Sequence, residues 1–472
     1  MVSSLPFLMI HFCILFCKIQ FYPLSKHLTP HITVFFDQQV YLWKIEIIFQ
    51  IMHDILSELR AGDYSSIRSI AESEHISEER LAGNILSGRC IVLKNDRRPY
   101  TPCAIGEGTS VKVNVNIGTS GINCSPEMEM EKAKAAIANG ADAIMDLSTG
   151  GDLPAMRREI LKLGIPVGTV PIYEAVRRAG NVVDLDADTL FNTIRDQAKE
   201  GVDFMTLHCG VNLDVLDALK LDPRTMGVVS RGGSFHTAMM LSTGEENPLY
   251  KEYDYLLEIL DEYNIPISLG DGMRPGAYVD SVKLAKSQEY VTLGKLARRA
   301  YDKGVFRMIE GPGHMDYSEI SYNVKMIKEI TGFAPLYLLG PLVTDIAPGY
   351  DHITGAIGGA AAASAGADFL CMVSPAEHLA LPNKADIIEG TRTAKIAAHV
   401  GDLARKRADA LAREAEMGEA RHALDWERQY QASLYPKHAK AVHDRDGECE
   451  TCSMCGDLCA IKIVEQALEK KI

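Results

Sequence analysis

Four thiols close together near the C-terminus carry the most specific chemistry in the chain. Cys449-Glu-Thr-Cys452-Ser-Met-Cys455-Gly-Asp-Leu-Cys459 holds four of its eleven cysteines. Glu450, Ser453, Gly456 and Asp457 make this segment too polar for a core. The spacing C-x2-C-x2-C-x3-C is that of the ferredoxin run, whose thiolates hold a [4Fe–4S] cluster. A zinc knuckle is the alternative. A disulfide pair fits less well, because the other cysteines of this large chain are scattered singly. In the ferredoxin run a proline follows, and the fourth thiolate serves a second cluster. Here Ala460 follows and the sequence has no second run. Cys452, Cys455 and Cys459 can then hold three irons and leave the fourth open to a small molecule. If Cys449 closes the site, the cluster only passes electrons.

Other polar residues recur after short apolar runs: Asn116, Met145-Asp146, Tyr173, His208-Cys209, Ser230-Arg231-Gly232, Asp271-Gly272-Met273-Arg274, Glu310-Gly-Pro-Gly-His314 and Tyr337. Ser230-Arg-Gly-Gly-Ser234 offers backbone N–H groups and a guanidinium suited to phosphate. Taken alone, it is equally a tight turn. Asp271 and Arg274 flank a turn suited to ribose hydroxyls and phosphate. Glu310 can position a substrate or move a proton. His314 and the His378 of Pro375-Ala-Glu-His378 are two imidazoles for a divalent metal, with positions left for water or substrate. Each histidine alone is more often a loop hydrogen-bonder. Cys209 reads as packing, since no activating base is legible.

The elements that position these residues alternate. Apolar or β-branched runs at 111–117, 143–147, 165–171, 203–209, 226–230, 265–270, 305–310, 336–339 and 367–373 are separated by helical patterns. The helices include 127–139, 154–163, 187–200, 252–263, 281–303, 318–331 and 353–364. Strand–helix alternation implies a parallel sheet. Eight or nine repeats favour a closed (β/α)8 TIM-like barrel, whose active site lies at the C-terminal ends of its strands. Polar residues recurring at that one place therefore converge on one mouth.

Around the barrel (108–383) we expect a small helical N-terminal domain (52–107), C-terminal helices able to pair with a second chain (384–446) and the cluster tail (447–472). Residues 1–51 look unlike the rest. Their apolar stretch 7–21 is interrupted by His11 and Lys18 and is too short to span a bilayer. They read as a mis-assigned extension, with a start at Met52. A net charge of −14 opposes nucleic-acid binding. The expectation is a cytoplasmic enzyme with a small-molecule substrate and neither a membrane nor a nucleic-acid partner.

VNVNIGTS, AIMDLSTGGD, PVGTVPIYEA, VDFMTLHCGV, VVSRGGS, SLGDGMRPG, EGPGH, LGPLVTDIAPGYDHIT, PAEHLALP and CSMCG, in this order, carry a likeness. From about residue 52 to 465 the chain resembles the phosphomethylpyrimidine synthase family, radical S-adenosylmethionine enzymes of the thiamine pyrimidine branch. The resemblance implies a dimeric (β/α)8 barrel that rearranges 5-aminoimidazole ribotide to 4-amino-5-hydroxymethyl-2-methylpyrimidine phosphate, releasing formate and carbon monoxide. It implies a ribotide site of Asn116, Met145, Tyr173, His208, Ser230, Arg231, Gly232, Asp271, Gly272, Met273, Arg274, Glu310 and Tyr337. It implies a zinc-type metal on His314 and His378. It implies a [4Fe–4S] cluster on Cys452, Cys455 and Cys459, S-adenosylmethionine as cosubstrate, and an electron donor. The cluster tail of one subunit would cover the barrel of the other.

Several motifs depart from the family pattern. The last cluster gap is three residues rather than four. Met315-Asp316-Tyr317 replaces Val-Pro-Leu, Thr331-Gly-Phe-Ala-Pro-Leu-Tyr337 replaces Cys-His-Gly-Ala-Pro-Phe-Tyr, and Cys371-Met-Val-Ser-Pro375 replaces Cys-Tyr-Val-Thr-Pro. Met273 stands where Leu is usual. These changes surround the ribotide positions and also suit a close relative, 5-hydroxybenzimidazole synthase, which uses the same substrate for a cobamide lower base. Readings outside the family are an electron-transfer protein with a closed cluster and a zinc-stapled binding module.

Overall fold

The computed structural model describes residues 55–95, 97–447 and 451–469. The expectation for residues 1–51 and the role of Cys449 lie outside them.

Eight parallel strands close a barrel: β3 (Lys112–Ile117), β4 (Ala143–Asp146), β5 (Val167–Thr169), β6 (Phe204–Leu207), β7 (Ile267–Leu269), β8 (Arg307–Glu310), β9 (Leu336–Leu339) and β10 (Phe369–Cys371), with β10 pairing β3. The strands read as apolar runs because helices cover their outer faces. Alternate residues point inward, which places Asn114 and Asn116, Thr206 and His208, and Met308 and Glu310 along the barrel interior. Glu310 lies opposite Tyr337 in the β8–β9 register, and Asn116 opposite Met145 in β3–β4. Phe204, Phe369 and Tyr337 fill the interior, with Phe204 edge-on to Phe369 at 6.4 Å and Tyr337 tilted on Phe369 at 4.5 Å. Gly168 makes room: a Cβ there would lie 2.2 Å from the Phe204 ring.

The expected strand at 226–230 is absent. Gly227 has φ +65, which breaks an extended run, and Asp280 accepts the backbone N–H groups of Thr225 and Met226 at 2.9 Å. The segment is a loop that ends at Ser230, the N-cap of the helix Arg231–Thr243. Eight strands close the barrel without it.

The N-terminal region holds three short helices as expected, Ile55–Arg60, Arg68–Ser73 and Glu78–Leu86. It also holds an antiparallel hairpin of β1 (Cys90–Leu93) and β2 (Cys103–Gly106). All four β1 side chains are buried, so the run shows none of the alternation by which a strand is recognised. Downstream, the helical stretch breaks at Lys406, which has φ +59. Helices Lys384–Ala404, Ala408–His422, Trp426–Ala432 and Pro436–His443 result. The first packs on the helix Asp351–Ala365, where a Cβ on Gly401 would lie 2.4 Å from that of Ala363. No described helix is long and apolar enough to cross a membrane.

Candidate active site

The C-terminal ends of the strands enclose a cavity of about 290 Å³. Asn116, Met145, Tyr173, His208, Arg231, Asp271, Arg274, Glu310 and Tyr337 line it together. Four expected residues lie elsewhere. Ser230 sits behind His208, its Oγ 3.2 Å from the imidazole Nε2. Gly232 lies against the same ring, where a Cβ would fall 2.2 Å from it. Gly272 packs under Val211. Met273 is fully buried in a separate apolar cluster with Val211, Val215 and Met240. Its place is structural, because the turn points the long apolar side chain away from the polar mouth.

Two guanidiniums mark one side of the cavity. Arg231 begins the helix Arg231–Thr243, whose cap is the Ser230 hydroxyl accepting from the Gly233 N–H at 3.2 Å. A helix N-terminus presents free N–H groups and positive potential to an anion. The Arg231 guanidinium lies over the Tyr173 ring at 5.1 Å. Arg274 donates to the backbone carbonyl of Asp271 at 3.2 Å.

Glu310 is the best-held carboxylate. Its Oε1 accepts from the Thr206 hydroxyl at 2.7 Å and the Ser268 hydroxyl at 3.1 Å, and its Oε2 accepts from the Asp271 N–H at 3.2 Å. Burial nevertheless raises it above the ordinary carboxylate range, against Thr206 and Arg274. A raised carboxyl can carry a proton that a solvated one has lost. His208 is held well below the ordinary histidine value, first by burial and then by His236, Arg274 and Lys286. It is a neutral imidazole whose Nδ1 has no hydrogen-bond partner among the described residues. Asn114 links Tyr337 OH at 2.7 Å to Asn116 Oδ1 at 2.8 Å.

Thr206, Ser268, Asn114, Cys371 and Glu377 escape a reading of the sequence by strand ends. A polar residue buried inside an apolar strand was the available signal for the first three. Burial raises Glu377 as well. Cys209, expected as packing, is buried in the main core.

The two histidines expected at a metal do meet. His314 Nε2 and His378 Nε2 are 3.3 Å apart. Each Nδ1 faces a carboxylate: Asp345 at 2.7 Å on His314, Asp351 at 3.5 Å on His378. Carboxylates on Nδ1 place the remaining lone pairs on the facing nitrogens. Two imidazole nitrogens at this distance suit either an N–H···N hydrogen bond or a shared cation. No third His, Cys, Asp or Glu joins them among the described residues.

The cysteine segment lies apart. Cys452, Cys455 and Cys459 are free thiols. Gly456, at φ +49, turns the loop, and the N–H groups of Cys455 and Gly456 bond back to the Cys452 carbonyl at 3.2 and 3.1 Å. The backbone N–H of Cys455 draws the Cys452 thiol below its ordinary value, which favours the thiolate a metal needs. The three sulfurs do not form a gathered metal group in the described residues. Ile463, Val464 and Leu468 of the following helix Ala460–Glu469 are exposed.

The radical SAM ThiC family model matches residues 56–466. Phosphomethylpyrimidine synthase 2 of Methanosarcina barkeri is 51% identical over 410 residues, covering 86% of this chain and 96% of that protein. Phosphomethylpyrimidine synthase 1 of Methanosarcina mazei is 50% identical, with 86% and 96% covered. Phosphomethylpyrimidine synthase of Archaeoglobus fulgidus is 51% identical, with 88% and 99% covered. The chain belongs to the radical SAM ThiC family, whose chemistry rests on a [4Fe–4S] cluster and S-adenosylmethionine.

Proposed function

We propose that this radical SAM ThiC enzyme is a phosphomethylpyrimidine synthase, converting 5-aminoimidazole ribotide to the thiamine pyrimidine phosphate in the cytoplasm. The observation that carries the reading is one cavity with an anion end and a polyol end. Arg231, Arg274 and the N-terminus of the helix Arg231–Thr243 suit the phosphate. Asp271, Glu310 and Asn116 suit ribose hydroxyls and the amino group.

Cys452, Cys455 and Cys459 would hold the cluster, which together with S-adenosylmethionine would supply one-electron radical chemistry. Around that chemistry the chain's residues bind, orient and exclude. Glu310 holds or moves a proton at its Oε atoms during rearrangement. Neutral His208 lines the cavity without adding charge. Thr206 and Ser268 keep Glu310 in one orientation. His314 and His378 would hold a zinc-type metal, which would supply Lewis-acid chemistry. The exposed apolar face of Ala460–Glu469 suits a tail that lies over the mouth of a second subunit in a homodimer and excludes water there.

The test is anaerobic turnover of reconstituted protein with ribotide, S-adenosylmethionine and reductant, read by product mass. Pyrimidine phosphate with 5′-deoxyadenosine is expected. Hydroxybenzimidazole would move the chain to the cobamide branch. Absence of 5′-deoxyadenosine, or a reduced-cluster resonance indifferent to S-adenosylmethionine, would overturn the reading.

A further inference from the structure

Behind the mouth, three charged side chains are almost sealed from water. Asp271 is 1% exposed, Lys286 3% and Glu289 0%. Lys286 and Glu289 are one turn apart on the helix Leu284–Asp302. The Lys286 ammonium donates to Asp271 Oδ1 and, at 3.2 Å, to Glu289 Oε2. Glu289 in turn accepts the backbone N–H groups of Gly272 at 2.8 Å and Met273 at 3.0 Å. Glu310 accepts the N–H of Asp271, and Arg224 donates to the carbonyls of Met273 and Arg274. The Tyr290 ring lies 4.0 Å from the ammonium.

The turn's backbone is thus pinned on both sides, and one polar atom of Asp271 remains. Oδ2 is buried, has no partner among the described residues, and belongs to a residue lining the cavity. A buried polar atom without a partner calls for an explanation, and on a residue lining the cavity a ligand supplies one. We propose that Lys286 and Glu289 are positioning residues for the ribotide, holding the Asp271–Arg274 turn so that the Asp271 side chain is aimed at a ligand hydroxyl or amino group. The inference rests on the reading of the mouth as a ribotide site.

A merely structural Lys286 would need only Glu289, because Glu289 already satisfies the turn. Its ammonium also reaches Asp271, whose side chain lines the cavity. Burial pushes Glu289 up to about 7, Lys286 opposes that and Asp271 reinforces it. Without the ammonium nothing opposes the rise of Glu289, which takes up a proton as pH falls, and the Asp271 side chain loses its anchor. The groups facing this pair are Lys286, Glu310, Arg224, Arg274, His208 and Tyr290.

The test is calorimetric binding of 5-aminoimidazole ribotide to the full chain without its cluster, at pH 6.5 and 9. The wild type is expected to bind at both. Lys286→Met is expected to bind at least about 10-fold more weakly at pH 6.5 and to recover most of that by pH 9. In an Asp271→Asn background the same substitution is expected to change affinity by less than about 2-fold. Equal weakening in both backgrounds, or at both pH values, overturns the proposal, as does unchanged binding. A wild type that binds no ribotide overturns both this inference and the reading beneath it; a wild type that binds beside an unaffected variant overturns this inference alone. Lys286→Gln keeps a neutral donor and is read by the same criteria if Lys286→Met does not fold, as judged by its thermal melt.

Discussion

At the N-terminal end of the barrel, buried cations sit against carboxylates. Lys112 pairs with Glu74 at 2.5 Å, Lys328 with Asp368 at 2.6 Å, and Arg98 with Asp203. Arg405 shares Asp368 at 3.3 Å, and Arg407 reaches Asp409 at 3.1 Å. At the C-terminal end, Arg231 rests on an aromatic ring and Arg274 on a backbone carbonyl, with no carboxylate in ion-pair distance of either among the described residues. Among the described residues, His208 Nδ1 and Asp271 Oδ2 are buried there without hydrogen-bond partners. The N-terminal end pairs most of its buried cations with carboxylates, Arg307 on the Gly88 carbonyl excepted, and holds the barrel shut. The C-terminal end keeps Arg231 and Arg274 clear of carboxylates, and only Lys286 behind them is paired. A cleft of about 460 Å³ does open at the satisfied end, larger than the mouth, which shows that volume alone does not mark the site.

Substitutions that cross this divide test it. The largest effect is expected at Glu310: Glu310→Gln should lower the turnover rate by about 10²–10⁴-fold, measured as 5′-deoxyadenosine and product formed anaerobically. Unchanged turnover would remove Glu310 from the chemistry. Lys112→Met leaves buried Glu74 with Arg407 as its one remaining cation and should cost up to about 3–5 kcal/mol of stability, read by urea unfolding, with ribotide affinity unaltered. Arg231→Met should do the reverse. Loss of a charge-assisted phosphate contact of about 1.5–3 kcal/mol weakens ribotide roughly 10- to 150-fold while the unfolding midpoint stays put. If both variants lose both properties, the two ends are not separable.

The smallest effect concerns pH. Burial works to raise Glu74, yet Lys112, the Ser110 N–H and Arg407 together bring it below its ordinary value of 4.5. Its stabilisation is complete above the unfolded value and is lost as pH falls through the lower folded one. Glu74→Gln should therefore destabilise the protein at neutral pH and flatten the acid limb of a melting-temperature profile below about pH 4.5. Parallel acid limbs for variant and wild type would show that the pair is not the source.

Much of this was legible along the chain. The alternation of apolar runs and helices named a closed barrel, and the polar residues after each run named its mouth. The run at 226–230 misled because its composition is that of a strand, while Gly227 and the distant Asp280 take its backbone elsewhere. The hairpin strand Cys90–Leu93 hid because burial on both faces removes its period. Met273 sits within a motif of cavity residues but points the other way. Thr206 and Ser268 lie inside strands, where a search of strand ends does not look.

Order, periodicity and residue type are local properties, so the sequence by itself determined the barrel, the cysteine spacing and the set of polar residues available to a ligand. Which of them meet was decided by closure of the sheet. Asn114 reaches Tyr337 across 223 positions of chain, His314 reaches His378 across 64, and the Lys286 ammonium finds Asp271 from the next helix. Those distances depend on strand register and helix packing, which no stretch of chain specifies until all eight strands are in place.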